Sequence, residues 1–177
     1  MTISIKEIRK FEENQDHDNT PYNAKKSRVS YELQGMSRKA RGELLERIVA
    51  HKIEEETGFE CNALRGNQPW DITVNLNKPV RIEVKSSLIN KTMWQRHGYE
   101  QYALQSIKPE NFDYLFIILI TPTGPVVKWA DVRDIEFSGE RHGLGYCLAM
   151  NERTIPDYFF DLEDFPYNPV SKGKFAN

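Results

Sequence analysis

The strongest hydrophobic pattern in the chain is a stripe of apolar residues at helical spacing over positions 37–57. Apolar residues that recur three or four positions apart share one face of an α-helix. The members of the stripe are Ala40, Leu44, Leu45, Ile48, Val49 and Ile53. Gly58 follows, and glycine is common just beyond a helix C-terminus. The pattern predicts an amphipathic helix over 37–57.

Other apolar residues follow the spacing of β-strands. Val80, Ile82 and Val84 alternate with polar positions, which predicts a strand over 80–87. The continuous apolar run 114–120 is typical of a strand buried on both faces. Further strands are predicted over 59–64, 71–76, 102–107, 126–129, 146–150 and 158–162. The strands at 71–76 and 80–87 are expected to form a hairpin, and the order of elements predicts a mixed α/β sheet.

Composition narrows the class of protein. A chain of 177 residues suits a single domain. Its longest apolar run falls short of the roughly 18 residues that span a bilayer, so no membrane partner is expected. The N-terminal segment lacks the apolar core of a secretory signal, and two cysteines are too few for a disulfide framework. We therefore expect a cytoplasmic globular protein.

The charge is nearly balanced overall but unevenly distributed. The formal net charge is −2, whereas nucleic-acid-binding domains are often strongly basic. The segment 24–41, however, has a marked basic excess, from Lys25, Lys26, Arg28, Arg38, Lys39 and Arg41. Such a run is either an ordinary solvated surface or a patch that binds a phosphate backbone.

A group of charged residues lies on the predicted hairpin. Glu83 and Lys85 point to one face of their strand, opposite Ile82 and Val84, and antiparallel pairing brings Asp71 close to them. Two adjacent carboxylates attract a divalent cation such as Mg²⁺, and a nearby lysine can neutralise charge that develops on a phosphate. The alternative is a cross-strand salt bridge worth under about 1 kcal/mol.

These residues resemble the motif of the PD-(D/E)xK nuclease superfamily. The two halves of the motif are Pro69-Trp70-Asp71 and, with Glu83 twelve positions after Asp71, Glu83-Val84-Lys85. Trp70 is inserted between the proline and the aspartate, which departs from the family pattern.

The predicted helix carries a further part of this resemblance. Arg41, Gly42 and Glu46 are similar to the basic-Gly-x-x-x-Glu pattern on the family's first core helix, whose Glu often completes the metal site. Glu46 borders the apolar stripe and Glu43 projects further out, so Glu46 is the expected carboxylate.

The resemblance implies a restriction-endonuclease-like α/β fold, with an αβββαβ core and a mixed central sheet flanked by helices. The core would span 38–120 of a single nuclease domain 1–177. An N-terminal arm with a short helix would occupy 1–37, and a C-terminal extension would occupy 121–177.

The resemblance also implies a Mg²⁺-dependent endodeoxyribonuclease that hydrolyses phosphodiester bonds of duplex DNA, with Mn²⁺ able to replace Mg²⁺. Asp71, Glu83 and the backbone carbonyl of Val84 would bind the metal. Glu46 would assist directly or through a metal-bound water, and Lys85 would position the attacking water.

Polar residues on either side of the motif are candidates for DNA contact. Asn67 and Gln68 lie in the predicted turn before it, where either could reach a base or a phosphate. Lys91, Gln95 and Arg96 follow it in a segment rich in aromatic residues. Cationic and amide side chains of this kind contact phosphates and base edges. The alternative for the second segment is an irregular connector.

Three functions are compatible with these features. A type II restriction endonuclease would act as a homodimer on palindromic DNA, because two-fold symmetry supplies one active site for each strand. A repair or recombination nuclease, such as a Holliday-junction resolvase-like enzyme, would use the basic arm to hold a branched substrate. A non-catalytic DNA-binding module with a nuclease-like fold is the third, and the intact charged residues of the motif argue against it.

Overall fold

The structure, a computed structural model, describes residues 3–4, 6–8, 27–64, 68–88, 101–137, 144–151 and 154–165. The two longer helices within these ranges are α1 (Arg28–Gly35) and α2 (Arg38–Thr57), and residues 6–8 are also helical. The strands are β1 (Cys61–Ala63), β2 (Ile72–Val74), β3 (Val80–Leu88), β4 (Tyr102–Ile107), β5 (Tyr114–Thr121), β6 (Gly124–Asp131) and β7 (Tyr146–Met150). Over this part of the chain, no helix combines the length and hydrophobicity needed to cross a membrane.

Helix α2 is the helix predicted from the apolar stripe. The Ser37 hydroxyl caps its N-terminus by accepting from the Ala40 N–H at 3.2 Å, and Gly58 ends it with a φ of 71°. The core-facing side chains are Leu44, Leu45, Ile48, Val49 and Ile53, all at most 1% exposed. Their burial against the strands fixes α2 on one face of the sheet.

Helix α1 lies in the segment that the sequence marks only as basic. Its N-cap is Ser27, whose hydroxyl accepts from the Ser30 N–H at 3.3 Å. Ser30 is fully buried, and its own hydroxyl donates to the Thr121 carbonyl at 2.6 Å. Because this bond reaches across 91 positions of sequence, the local pattern gives no sign of it.

The main sheet has the strand order β1-β2-β3-β5-β6. β2 and β3 pair antiparallel with Ile72 opposite Ile82, which confirms the predicted hairpin. β3 and β5 pair parallel with Lys85 opposite Ile117, and β5 and β6 pair antiparallel. The sheet is therefore mixed, as predicted.

Strand β5 is buried on both faces, as its continuous apolar run predicts. The side chains that face the core under α2 are Phe116, Ile118 and Ile120. The side chains that face a second core, formed with β4 and β7, are Leu115, Ile117 and Leu119. The strand thus separates two hydrophobic layers, and none of these six side chains is measurably exposed.

A polar clamp, formed by Arg81 and Asp113, joins the beginning of β3 to the residue before β5. The Asp113 carboxylate accepts from the backbone N–H, Nε and Nη2 of Arg81 at 2.9, 3.2 and 3.0 Å. The Asp113 N–H in turn donates to the Arg81 carbonyl at 2.8 Å. Burial alone would raise the pKa of Asp113, but the hydrogen bonds from Arg81 hold it below its ordinary value.

The connection between β3 and β5 bears on the expected αβββαβ core. Its described part consists of β4 and a single 3-10 turn, Pro109–Asn111, and β4 pairs antiparallel with β7 in a second sheet. The helix that the expected core places here falls on 89–100, outside the described residues. The mixed α/β sheet is thus observed, and the specific core remains a prediction.

The strand predicted over 158–162 is wrong. Phe160 alone makes a bridge, to Trp129, and a 3-10 turn follows at Leu162–Asp164. The apolar pattern that suggested a strand comes from aromatic packing: Phe160 lies with its ring centroid 5.3 Å from that of Trp129, and Phe159 is buried in the second core.

Strand β4 contains a β-bulge, formed by Gln105 and Ser106. Leu104 pairs with Leu148 and Ile107 pairs with Tyr146, so two residues of β4 oppose one residue of β7. Ser106 has a φ of 59°, in the left-handed region that serine rarely occupies.

Gly145, just before β7, fits tightly against this bulged strand. It has a φ of 79°, and a Cβ added to it would lie 2.5 Å from the Ile107 carbonyl oxygen. We expect Gly145→Ala to lower the free energy of unfolding by about 2–4 kcal/mol, because left-handed strain and a backbone clash add. Urea denaturation measures the change.

Gly58→Ala is the matched control for Gly145→Ala. Gly58 has a similar φ of 71°, but a Cβ there would meet nothing within 4 Å. Its substitution is expected to cost only the strain, about 1–2 kcal/mol. Equal losses for the two variants would contradict the close approach at Gly145.

Candidate active site

Asp71 is positioned by the backbone of the hairpin. Its N–H donates to the Ile82 carbonyl at 3.0 Å, which continues the β2–β3 ladder by one residue. Its Oδ2 accepts from the Val84 N–H at 2.8 Å. The carboxylate is therefore held against the main chain of β3, beside Glu83.

Glu83 and Lys85 lie on the same face of β3, as the alternation predicts. The Lys85 ammonium contacts the Glu83 carboxylate directly, and the two side chains are 25% and 10% exposed, respectively. Glu83 also hydrogen-bonds to Asp71. The predicted cluster of two carboxylates and a lysine is thus present.

Helix α2 brings a third carboxylate to this cluster. Glu46 is half-buried and close enough to Asp71, Glu83 and Lys85 to interact with their charges. Glu43, one turn earlier, is exposed. Glu46 is thus the more buried of the two helix carboxylates, as expected, and Glu43 lies at the edge of the same site.

Crowding and burial raise the pKa values of these carboxyl groups. Burial raises the pKa of Glu46 to about 7, and the charges of Asp71, Glu43 and Glu83 add to the effect. Burial also raises the pKa of Glu83 to about 7, because Lys85 offsets only part of the desolvation. The pKa of Asp71 is raised by burial as well, although the backbone N–H bond that it accepts favours its ionised form.

A cleft of about 780 Å³ between α2, the hairpin and β4 is lined by the carboxylates of Glu43, Glu46 and Asp71, and the buried Glu83 lies beside it in contact with Lys85. Four basic side chains line this cleft: Arg38, Lys39, Arg47 and Lys85. The inserted Trp70 forms part of the wall, where its Nε1 donates to the Thr73 hydroxyl at 2.9 Å. The cleft therefore combines an acidic centre with a basic rim.

The predicted DNA-contacting residues have different positions relative to the cleft. Arg38, Lys39 and Gln68 line it, whereas Arg28 lies on α1 outside the lining. The remaining candidates, apart from Arg41, lie outside the described residues and stay predictions: Lys25, Lys26, Asn67, Lys91, Gln95 and Arg96.

Arg41 requires a correction. It was predicted to contact DNA, but the residue is only 7% exposed, and its Nη1 donates to the carbonyls of Leu33 and Met36 at 3.3 Å each. These carbonyls belong to the C-terminal end of α1, where backbone acceptors lack helical partners. Arg41 therefore caps α1 from inside the protein and is not available to a phosphate.

Several cleft residues escape sequence reasoning. Arg47 follows Glu46 on α2 and could have been found by helical spacing from Glu43. Gln105 and Ser106 line the opposite wall because β4 packs beside β3. A contact between two strands that are not adjacent in sequence cannot be predicted from local pattern. Nothing in the local pattern of β4 signals its bulge.

The donor set of the cleft fits a small divalent cation. Asp71 is half-buried and accepts from the Val84 N–H, Glu83 is buried beside it, and a divalent cation satisfies both negative charges at once. Across the described ranges, no three His, Cys, Asp or Glu side chains already surround a single metal position. Mg²⁺ needs only one or two protein carboxylates, because it retains several water ligands. Two carboxylates beside the backbone carbonyl of Val84 are therefore a sufficient donor set.

The fold and the cleft define a mixed α/β protein with an acidic, lysine-containing site where α2 meets the hairpin. No family model matches the chain, and no curated protein matches it. Among solved structures, a bacterial homing endonuclease, I-Ssp6803I, is similar at a TM-score of 0.46, with 12% sequence identity over 70% of this chain and 88% of that chain. At this level of similarity neither a residue role nor an activity is transferred.

The raised pKa of Glu46 predicts how stability depends on pH. Its folded-state pKa of about 7 exceeds the ordinary value of 4.5, so its contribution to stability is complete below pH 4.5 and is lost as pH rises through 7. We expect Glu46→Gln to raise the free energy of unfolding of the metal-free protein by about 1–2 kcal/mol at pH 8, after allowance for partial exposure. The gain should shrink towards pH 4.5.

Chemical denaturation in EDTA over pH 4.5–8 measures this effect. Glu56→Gln, on the same helix, is the control, and because Glu56 is exposed and does not line the cleft we expect little change. A Glu46→Gln variant that was less stable than wild type at pH 8 would place Glu46 outside the acidic cluster.

Proposed function

We propose that the protein is a metal-dependent endodeoxyribonuclease of the PD-(D/E)xK type that hydrolyses phosphodiester bonds of duplex DNA. The observation that carries this proposal is that Glu46, Asp71 and Lys85 line one basic-rimmed cleft, with the buried Glu83 in contact with Lys85 beside it. A structural salt bridge between strands would need neither a third carboxylate from α2 nor an open cleft with three further cations. The complete set of charged residues argues against the non-catalytic module, and the choice of substrate in the experiment below separates the restriction type from a repair or recombination nuclease.

The reaction is the addition of water across a phosphorus–oxygen bond. Water attacks phosphorus, the bond to the leaving oxygen breaks, and the products are a phosphate monoester and an alcohol. Lys85 orients the attacking water and neutralises the negative charge that develops on the phosphate. Glu46 would assist directly or by hydrogen-bonding a metal-bound water, because it lies within interaction distance of Asp71, Glu83 and Lys85.

Asp71, Glu83 and the Val84 carbonyl would hold Mg²⁺ or Mn²⁺. When bound, the ion polarises the phosphate and lowers the pKa of a coordinated water. Lys85 then no longer has to neutralise Glu83, which leaves its ammonium group for the substrate. The basic rim formed by Arg38, Lys39 and Arg47 supplies attraction for the phosphodiester backbone.

Simultaneous cleavage of both strands needs two active sites, and in the proposed enzyme each chain would provide one. We therefore propose a homodimer that binds a two-fold symmetric DNA site. Sedimentation of the protein with a cleaved duplex should give two chains for each DNA molecule. A stoichiometry of one chain that still cuts both strands would contradict the homodimer.

The proposed activity is tested with supercoiled plasmid and with a four-way DNA junction, each incubated with Mg²⁺, Mn²⁺ or EDTA. We expect discrete plasmid fragments with either metal, no cutting in EDTA, and binding that weakens steeply as salt increases. Cutting confined to the junction would instead favour a repair or recombination nuclease. Binding without cutting under every condition would favour a non-catalytic DNA-binding module.

A further inference from the structure

The bulge of β4 displays two consecutive polar side chains in the proposed active-site cleft. Side chains of a regular strand alternate between its two faces. Here Leu104 and Ile107 are both buried, and the two residues between them, Gln105 and Ser106, are both exposed and line the cleft. The bulge therefore changes the alternation so that an amide and a hydroxyl group face the same space as Lys85.

The conformation of this bulge is strained and is held from behind. Among the described residues, Ser106 is the single residue other than glycine that has a positive φ. A serine stays in that conformation only where the surrounding structure imposes it. Gly145 provides such a constraint, because it packs so closely on Ile107 that a Cβ has no room. Strained bulges of this kind concentrate beside functional sites, where they redirect side chains.

A buried serine fixes the bulged strand relative to the proposed catalytic lysine. Ser87 is two residues beyond Lys85 on β3 and only 7% exposed. Its hydroxyl accepts from the Ala103 N–H at 3.1 Å and lies 3.2 Å from the Ala103 carbonyl oxygen. β4 is thus tied to β3 two residues before the bulge, so the bulge has a defined position across the cleft from Lys85.

We propose that Gln105 and Ser106 are positioning residues that hydrogen-bond the sugar–phosphate backbone of the DNA strand being cut, an inference that rests on the proposed nuclease function. The basic rim supplies attraction without direction, whereas an amide and a hydroxyl at fixed positions orient the strand. Both groups are uncharged hydrogen-bond donors, so they can contact phosphate oxygens beside the acidic cluster without changing its net charge.

The Gln105→Ala/Ser106→Ala variant tests this inference. The loss of two neutral hydrogen bonds should weaken duplex binding about tenfold, measured by fluorescence anisotropy with Ca²⁺ in place of Mg²⁺. In cleavage assays KM should rise by a similar factor with kcat changed less than about twofold. The effect should be equal on duplexes of different sequence, because phosphate contacts carry no sequence information.

Gln105→Glu is a second, nearly isosteric test. A carboxylate placed against a phosphate repels it, so binding should fall more than in the alanine variant, and the difference in affinity from wild type should shrink as salt increases. Gln101→Ala and Gln101→Glu are the controls, since Gln101 precedes the same strand outside the cleft lining. Thermal midpoints within about 2 °C of wild type exclude a folding defect.

Each outcome supports or overturns the inference. Wild-type affinity and KM in both Gln105 variants would overturn it while leaving the nuclease function intact. A loss confined to one DNA sequence would overturn the backbone contact in favour of base contact. A wild-type protein that neither binds nor cuts DNA would overturn the proposed function itself, which the metal and substrate series above detects separately.

Discussion

Replacing Lys85 by methionine is expected to reduce the cleavage rate by about a hundredfold to ten-thousandfold, with the fold retained. Methionine preserves the aliphatic part of the side chain but removes the ammonium group that would orient water and neutralise charge on the phosphate. Lys85→Met and a matched Lys108→Met variant should be compared in single-turnover cleavage of a labelled duplex with Mg²⁺. Lys108 is exposed and does not line the cleft, so its substitution should leave the rate within about twofold.

Asp71→Asn separates metal binding from folding. The amide oxygen of asparagine can still accept from the Val84 N–H, which now donates to the Asp71 carboxylate at 2.8 Å. The backbone geometry should therefore persist, while cleavage falls by a factor similar to that of Lys85→Met. Wild type should gain thermal stability with Mg²⁺, and the variant should gain much less. Full cleavage by both variants would show that the reaction occurs elsewhere in the protein.

Phe116→Ala is expected to lower the free energy of unfolding by about 3–5 kcal/mol. Phe116 lies in the middle of β5 with no measurable exposure, and its ring centroid is 5.5 Å from that of Phe165. The loss combines the transfer free energy of a phenyl ring with the cost of the cavity that remains. It would be a large part of the roughly 5–15 kcal/mol by which domains are stable.

Guanidinium chloride denaturation measures this change, with Leu144→Ala as the control. Leu144 is 68% exposed, so removal of its side chain should change the free energy of unfolding by less than about 0.5 kcal/mol. A loss below about 1 kcal/mol for Phe116→Ala would mean that β5 does not lie between two hydrophobic layers.

The sequence predicts those parts of the structure that depend on strong local periodicity. Helix α2 has an apolar stripe at helical spacing and a glycine just beyond its C-terminus. Strand β5 has a continuous apolar run that is too short to indicate a buried helix. The hairpin could be predicted because the turn between its two strands is short and apolar residues alternate clearly with polar ones along the second strand. The same alternation places Glu83 and Lys85 on one face, so the centre of the candidate site is predictable from three positions.

Features that depend on contacts distant in sequence could not be predicted. Helix α1 is fixed by a hydrogen bond from Ser30 to Thr121, and Arg41 is buried because it donates hydrogen bonds to carbonyls at the end of α1 that have no helical partner. A basic residue on an amphipathic helix is ordinarily exposed, so the sequence placed Arg41 with the DNA-contacting side chains. The bulge at Gln105 is equally invisible, since it reflects the fit of β4 against β7 and Gly145.

The polar clamp between Arg81 and Asp113 has a consequence for the alignment of the proposed catalytic strand. Both faces of β5 are uniformly apolar, so a slip of one residue against β3 would exchange Phe116, Ile118 and Ile120 for equally apolar neighbours. Burial of hydrophobic surface therefore discriminates poorly between registers here, unlike in a strand with one polar face. A charged pair with several hydrogen bonds tolerates no such displacement, because its geometry fits one alignment. The clamp thus fixes the register of β5 against β3 and determines which residue of β5 lies opposite Lys85.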